Sequence, residues 1–187
     1  MNYSLTSMSG DEKRALLARL LAEQQSECPL SLGQLRLWQA EQLHGPGSAY
    51  NISILFWLTG KLDRNAMVQA INDAVQRHES LRTAFVEVNG QPVQRIAARA
   101  RIEVPIVDHG EGAFETWRNQ VRREAEYEAQ HPFTLRQAGL LRCKLWAKGD
   151  RECAFSLTVH HIVADRWSLS VLARDITQSY SNRIARG

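Results

Sequence analysis

Two adjacent histidines and an aspartate, at the end of an apolar segment, are the residues of this sequence best suited to chemistry. His160 and His161 follow the apolar run that ends at Val159, and Asp165 comes four residues after His161. The pattern predicts a strand that delivers two imidazoles to its carboxyl end, with a carboxylate in the turn before a helix. An imidazole in such a crevice can act as a base. One interpretation is therefore acyl transfer, in which His161 removes or steers a proton while Asp165 fixes the turn.

The same three residues admit two other interpretations. A histidine pair that ends a strand is commonly structural, with both rings satisfied inside the fold. Histidine and aspartate are also metal ligands, but the sequence has no second ligand cluster close to them. On spacing alone, catalysis, structure and metal binding stay open, although we expect no metal site.

A second charged cluster runs from Arg77 to Phe85 and joins a predicted helix to a predicted strand. Charges at such a junction are usually solvated, yet Arg82 follows Leu81 in a segment that enters the sheet. A buried arginine needs a carboxylate partner, and Asp165 is one that the sequence offers. We therefore expect either a solvated charge run or an ion pair between Arg82 and Asp165.

Alternating helix and strand signals predict an α/β fold, namely a two-layer sandwich of one mixed sheet with packed helices. Ser31 and Asp63 are predicted helix caps, and Asn89-Gly90 is a strong hairpin signal because both residues tolerate the positive φ of a type I′ turn. The strand over 51–59 is predicted to be buried on both faces. The predicted helices are 11–25, 32–43, 66–78, 114–129 and 168–184, and the predicted strands are 51–59, 81–88, 92–96, 102–107, 140–147 and 153–159.

Composition excludes several classes of protein. The 187 residues are 44% hydrophobic and 23% charged, with a net charge of +3, which is typical of a globular domain and not of a disordered or collagen-like chain. Basic residues form no long run, so we expect no nucleic-acid partner. The three cysteines lack a C-x-x-C pair and indicate reduced, partly buried thiols. The sequence shows no secretory leader and no membrane span, which predicts a cytoplasmic location.

Three ordered segments resemble the motifs of the condensation domains of nonribosomal peptide synthetases. Ser31–Trp38 resembles the family's S-x-x-Q-x-R-L-W, Arg77–Phe85 reproduces R-H-E-x-L-R-T-x-F, and His160–Ser168 resembles H-H-x-x-x-D-G-W-S. The segment from Pro132 to Arg142 is similar to the P-F-D-L-x-x-G-P-L-L-R stretch that precedes the third motif. The resemblance covers Pro29–Ile184, which is nearly the whole chain.

The resemblance implies a fold like that of chloramphenicol acetyltransferase. Condensation domains consist of two such halves with the active site in a tunnel between them, and this chain matches only the first half. We therefore expect an N-terminal amphipathic helix or linker over residues 1–28 and the N-terminal lobe of a condensation domain over residues 29–187, with the second lobe absent.

The implied reaction is amide formation between two carrier-bound substrates. The amine of an acceptor aminoacyl thioester would attack the thioester carbonyl of an acyl or peptidyl donor, both held on phosphopantetheine arms. The implied partners are peptidyl or acyl carrier domains, an adenylation domain and the chain's own C-terminal lobe, with no directly bound cofactor. The implied role is the synthesis of secondary metabolites such as antibiotics and lipopeptides.

The matching positions assign a role to each motif residue. His161 would be the functional histidine, acting as a base or as the hydrogen-bond partner that orients the amine. His160 would be structural. Asp165 would pair with an arginine and brace the loop, and Arg82 is the candidate partner.

Arg166 departs from the family pattern, which has glycine at that position and so leaves room beside the imidazole. The departure implies that the arginine side chain turns away from the tunnel, that the donor is unusual, or that activity is reduced. Trp167 and Ser168 match the condensation pattern, whereas sister epimerization domains run D-x-x-S-W. An epimerization domain, a stand-alone acyltransferase and a non-catalytic docking or recruitment module are the alternatives. If Met1 is native, the donor would arrive in trans or as an acyl thioester, which favours a starter or subunit-opening domain, for example one that attaches a fatty acyl group.

Overall fold

The computed structural model describes residues 9–11, 13–14, 26–110 and 112–185. Of the helix predicted over 11–25, Asp11, Lys13 and Arg14 are helical, and the rest lies outside the described residues. A 3-10 turn covers Glu79–Arg82. The longer helices are α1 (Leu32–His44), α2 (Arg64–Arg77), α3 (Phe114–Gln130) and α4 (Arg166–Ile184), and the strands are β1 (Ser26–Pro29), β2 (Asn51–Thr59), β3 (Thr83–Val88), β4 (Gln91–Ile96), β5 (Ile106–Asp108), β6 (Leu141–Lys148) and β7 (Glu152–His160).

A four-stranded mixed sheet in the order β2-β7-β6-β5 forms the centre of the fold. β7 pairs antiparallel with β2 and β6, and β5 runs parallel to β6. Successive side chains of a strand point to opposite faces. α2 and α4 pack on one face with Ile71, Leu157 and Leu169, and α3 packs on the other face with Trp117 and Trp146. The mixed α/β class is confirmed, and helices on both faces give three layers where two were expected.

A second, antiparallel sheet has the strand order β1-β4-β3. Its hairpin turns at Asn89 and Gly90, whose φ angles of 51° and 76° confirm the predicted type I′ turn. β1 is not among the predicted strands. It is a strand because Ser26 lies opposite Ile96 in β4, a pairing between distant parts of the chain.

Local differences from the predicted elements have identifiable causes. β2 packs on both faces of the sheet, but it is not buried there as predicted, because its place at the edge of the sheet leaves its residues only partly buried. Leu32, a large apolar residue at the start of the predicted helix over 32–43, is 78% exposed. The strand predicted over 102–107 is shortened because the side chain of Asn72 hydrogen-bonds both the N–H and the carbonyl of Ile102.

The cysteines and the caps agree with expectation. Cys143 and Cys153 are buried, Cys28 is partly buried, and all three are free thiols. Ser31 caps α1 through a capping box with Gln34, and Asp63 caps α2. Within the described ranges, no helix has both the length and the apolar character needed to cross a membrane.

Candidate functional site

The loop between β7 and α4, residues 161–165, carries the predicted chemistry. The N–H of His161 donates to the carbonyl of Tyr50 at 2.8 Å, and the N–H of Val163 donates to the carbonyl of His160 at 3.1 Å. The side chain of Ile162 is only 4% exposed. Backbone hydrogen bonds and one buried side chain therefore fix the loop where the strand ends.

His161 is exposed and presents one ring nitrogen for chemistry. Its Nδ1 lies 3.0 Å from the carbonyl oxygen of Ala164. Because a carbonyl oxygen can only accept, Nδ1 carries the proton, and Nε2 of the neutral ring holds the free lone pair. The side chain lines an open groove of about 530 Å³ with Gln34 and Asp165. Nε2 of His161 is thus suited to accept a proton or a hydrogen bond from a molecule in this groove.

His160 is buried and points away from such a role. It is 1% exposed, and its Nδ1 accepts the N–H of Ile162 at 3.1 Å. The rings of Tyr50 and Phe133 contact it edge-on, with centroids 6.1 and 6.2 Å away. Burial, with a smaller contribution from the adjacent His161, lowers the pKa of His160 to about 4. A neutral, buried ring that holds the loop backbone fits the structural role implied for this residue.

Asp165 is the N-cap of α4 and not the partner of an arginine. Its Oδ1 accepts the N–H of Ser168 at 2.7 Å and the hydroxyl of Ser168 at 2.6 Å. The hydrogen bonds from Ser168 hold the pKa of this exposed carboxyl below its ordinary value. Cap and charge together stabilise the start of the helix.

The expected ion pair between Arg82 and Asp165 is absent, because each residue has closer partners. Arg82 donates to the carboxylate of Glu79 at 2.9 Å, within the same 3-10 turn, and to the carbonyl of Ala97. Its side chain is 12% exposed, so it is not the alternative solvated charge either. Arg82 anchors the turn to the end of β4, while Ser168 satisfies Asp165 locally.

The first motif reaches the loop through Gln34. Its Nε2 donates to the carbonyl of Ile162 at 3.4 Å and to Oε1 of Gln94 at 3.0 Å. Its Oε1 accepts the N–H of Ser31, and its own N–H donates to the hydroxyl of Ser31. One glutamine therefore caps α1 and also holds the loop.

Residues of the second motif and of the segment around Pro132 pack against Ile162 of the loop. Phe85 is fully buried in a cluster with Phe133, Leu140 and Ile162. The guanidinium of Arg142 lies 3.9 Å from the centroid of the Phe133 ring. The structure thus brings all the motif segments into contact at one loop, which their separation in the sequence does not reveal.

The three residues after Asp165 differ in environment. Arg166 is the first residue of α4 and is exposed. Trp167 is 78% exposed, and Ser168 is half-buried against Asp165. The side chain of Arg166 is thus not packed inside this chain. In the part of the chain that the structure describes, no three His, Cys, Asp or Glu side chains cluster in a way that could hold a metal ion.

Sequence reasoning missed two residues of the site. Tyr50 supplies the carbonyl that binds the N–H of His161, and Glu41 places Oε2 3.7 Å from Nε2 of His160. Neither lies in a quoted motif. A signal for Glu41 was present, because an acidic residue follows the first motif on the same helix, but its partner could be found only from the fold.

Comparison with known proteins identifies the family of this chain. The family described as "Condensation domain" matches residues 24–185. The probable non-canonical nonribosomal peptide synthetase CymA of Salinispora arenicola is 41% identical over 157 residues, 84% of this chain and 2% of that protein. The isonitrile lipopeptide synthase of Mycobacterium tuberculosis is 38% identical over 178 residues, 94% of this chain and 7% of that protein.

Two solved structures give the same answer for the fold. The starter condensation domain of rhizomide synthetase RzmA superimposes with a TM-score of 0.78 and 21% identity, over 86% of this chain and 38% of that chain. The X-domain in its complex with OxyB, from teicoplanin biosynthesis, gives a TM-score of 0.71 and 30% identity, over 84% of this chain and 33% of that chain. The chain thus spans a small part of these synthetases and about a third of the matched structures. By its family match over most of its length, the chain belongs to the condensation domain family.

Proposed function

We propose that this chain is the N-terminal lobe of a condensation domain that forms an amide between two carrier-bound substrates. The observation that carries the proposal is the geometry of the fixed loop. Nδ1 of His161 hydrogen-bonds the carbonyl of Ala164, and the side chain lines an open groove where Nε2 is free. The match to the condensation family and the identity to a nonribosomal peptide synthetase support this substrate class.

In this reaction the amine nitrogen of the acceptor attacks the thioester carbonyl of the donor. A C–N bond forms, the C–S bond breaks, and the thiol of the donor's phosphopantetheine arm leaves. The attacking nitrogen loses a proton, and Nε2 of His161 would accept it or hold the amine in line for attack. The chain binds no cofactor directly in this proposal, because the carrier domains deliver the phosphopantetheine.

A second lobe is needed to close the groove of about 530 Å³ into a tunnel. Leu32 and Trp167 are each 78% exposed, and their sequence neighbours Gly33 and Ser168 line the groove. Large apolar side chains in such positions are typical of a surface that another part of a protein covers. We propose that residues 29–187 form this lobe together with residues 26–28, which pair with β4 as part of β1, and that the residues before them act as a linker.

The donor that we propose is a fatty acyl thioester, which would make this a starter domain. The support is the 38% identity to an isonitrile lipopeptide synthase over 94% of this chain. In this proposal the partners are carrier domains and an adenylation domain. We also propose the cytoplasmic location that the sequence predicts.

Arg166 favours a second candidate function, a docking or recruitment module without chemistry. A cation replaces the family's glycine two positions before Ser168, and the X-domain, which is 30% identical to this chain, was solved as a complex with OxyB. Arg166 is exposed at the start of α4, so a partner protein could contact it. In this alternative the loop would be retained for the fold alone.

The test uses the chain joined to its second lobe, between donor and acceptor carrier domains loaded with thioesters. Condensed product is followed by intact-protein mass spectrometry with fatty acyl and aminoacyl donors. We expect product from wild type and faster turnover with the fatty acyl donor. Arg166→Gly shows whether the arginine tunes the reaction. No product from wild type with any donor, while both carriers still bind, would instead favour the recruitment module.

A further inference from the structure

A buried carboxyl on α1 lies against the histidine that holds the loop. Oε2 of Glu41 is 3.7 Å from Nε2 of His160, and the two side chains are 10% and 1% exposed. This distance is too long for a hydrogen bond, and Nε2 has no hydrogen-bond partner within the described residues. Glu41 is thus the acidic group placed beside an otherwise unsatisfied ring nitrogen.

The hydrogen bond on the other side of the ring determines what Nε2 must be. Nδ1 of His160 accepts the N–H of Ile162 at 3.1 Å, so Nδ1 carries no proton. A neutral imidazole then carries its proton on Nε2. A buried N–H donor without an acceptor is costly, and a small movement of the Glu41 carboxyl would bring an acceptor into range.

The same carboxyl connects three parts of the fold. Glu41 belongs to α1, the backbone of Leu135 lies close enough to its carboxyl to lower the pKa of that group, and His160 ends β7. Burial is the larger influence on Glu41 and raises its pKa, which is typical of a carboxyl held inside a fold. His161 is the other titratable group that acts on the ring of His160.

We propose that Glu41 is a positioning residue for the condensation reaction. Its carboxyl accepts the Nε2–H of His160 and thereby fixes the ring in the tautomer whose Nδ1 holds the amide of Ile162. The amide of Ile162 in turn sets the shape of the loop that presents His161. Glu41 does not touch the substrates, and its effect reaches them through His160. The structural part stands by itself, while the catalytic consequence rests on the proposed function.

The tautomer is measured first, by ¹⁵N nuclear magnetic resonance of the chain labelled at histidine. Wild type at neutral pH is expected to show His160 protonated at Nε2 and unprotonated at Nδ1. Glu41→Gln should keep that tautomer, because the amide oxygen of glutamine is also an acceptor. Protonation at Nδ1 in wild type would overturn the proposal without any variant.

Hydrogen exchange of the Ile162 amide measures the effect on the loop. Glu41→Leu removes the acceptor, and we expect this amide to exchange about tenfold faster or more, because a buried donor is left unpaired. Glu41→Gln and the control Glu126→Leu, which changes an exposed glutamate of α3, should stay within about twofold of wild type by the same reasoning. Unchanged exchange in Glu41→Leu would overturn the proposal. If Glu41→Leu does not fold, the wild-type tautomer and Glu41→Gln decide.

Product formation is the last measurement, on the chain joined to its second lobe. Turnover should fall with Glu41→Leu and be restored by Glu41→Gln, with little change in the concentration of carrier needed for half-maximal rate. Turnover of a folded Glu41→Leu equal to wild type would refute the catalytic consequence. If the proposed function fails instead, wild type forms no amide, and the tautomer and exchange results still decide the structural role of Glu41.

Discussion

Replacing His160 with asparagine should change how the stability of the protein depends on pH. The ring of His160 is buried and neutral, and its pKa is lowered to about 4 from an ordinary value of 6.5, mainly by burial. Below pH 6.5 the imidazole of His160 is therefore protonated in the unfolded chain, whereas in the folded chain it stays neutral until the pH approaches 4. The stability that His160 contributes is present above pH 6.5 and is lost as the pH falls towards 4.

The size of the effect follows from the two pKa values. Each pH unit between them costs about 1.4 kcal/mol of unfolding free energy, and the whole interval costs about 3 kcal/mol. The raised pKa of Glu41 acts in the opposite direction, because a group with a raised pKa contributes stability that is lost as the pH rises. The effect of His160 is thus obtained from the difference in unfolding free energy, at each pH, between wild type and a variant that keeps Glu41.

Urea unfolding of wild type and His160→Asn at pH 7, 6, 5 and 4.5 measures that difference. Asparagine is the chosen replacement because its side-chain oxygen can accept the Ile162 N–H in place of Nδ1. Wild type should lose stability faster than the variant below pH 6.5, by about 1.4 kcal/mol per pH unit. Parallel curves for the two proteins over this range would refute the account of His160 as a buried neutral ring.

Two further predictions concern the support of the loop and its neighbouring sheet. Phe85→Ala should lower the unfolding free energy by about 3–5 kcal/mol, because it removes a fully buried ring from the cluster that packs on Ile162. Phe114→Ala, at a residue that is 41% exposed, should lower it clearly less in the same urea titration. Equal losses in the two variants would contradict the role of the cluster. Gly90→Ala should cost about 1 kcal/mol because its φ is +76°. Gly47→Ala is its control. An added Cβ meets nothing within 4 Å at either glycine, but of these two residues Gly90 has a positive φ and Gly47 does not. Equal melting temperatures for the two alanine variants would contradict the turn assignment.

The elements that could be predicted from the sequence are those that local pattern determines. The Asn89-Gly90 turn depends on backbone angles that few residues adopt. Capping by Ser31 and Asp63 likewise depends on groups within one helical turn. Such features involve neighbours in the chain, so the pattern of residue types is sufficient to find them.

The elements that were missed depend on distant partners. β1 is only four residues long and exists through its pairing with β4. The strand predicted from Ile102 begins later because the side chain of Asn72 occupies its backbone. Neither contact leaves a periodic signal in the sequence.

The site shows the same division. The assignment of His161 as the exposed ring and His160 as the structural one came from resemblance, and the burial of the two residues fits it. The pairing of Arg82 with Asp165 was wrong, because Glu79 and Ser168 lie three residues from each and satisfy them first. Opposite charges in a sequence show which pairs can form, but local geometry decides which ones do.

Replacing His161 with alanine should abolish most of the condensed product. The assay uses the chain joined to its second lobe, with loaded carrier domains, and follows the amide by intact-protein mass spectrometry in single turnovers. We expect a rate lower by about 10²–10⁴ for His161→Ala and an unchanged rate for His44→Ala, a control at an exposed histidine of α1. A His161→Ala variant that is folded, binds both carriers and condenses at the wild-type rate would contradict a catalytic role for His161.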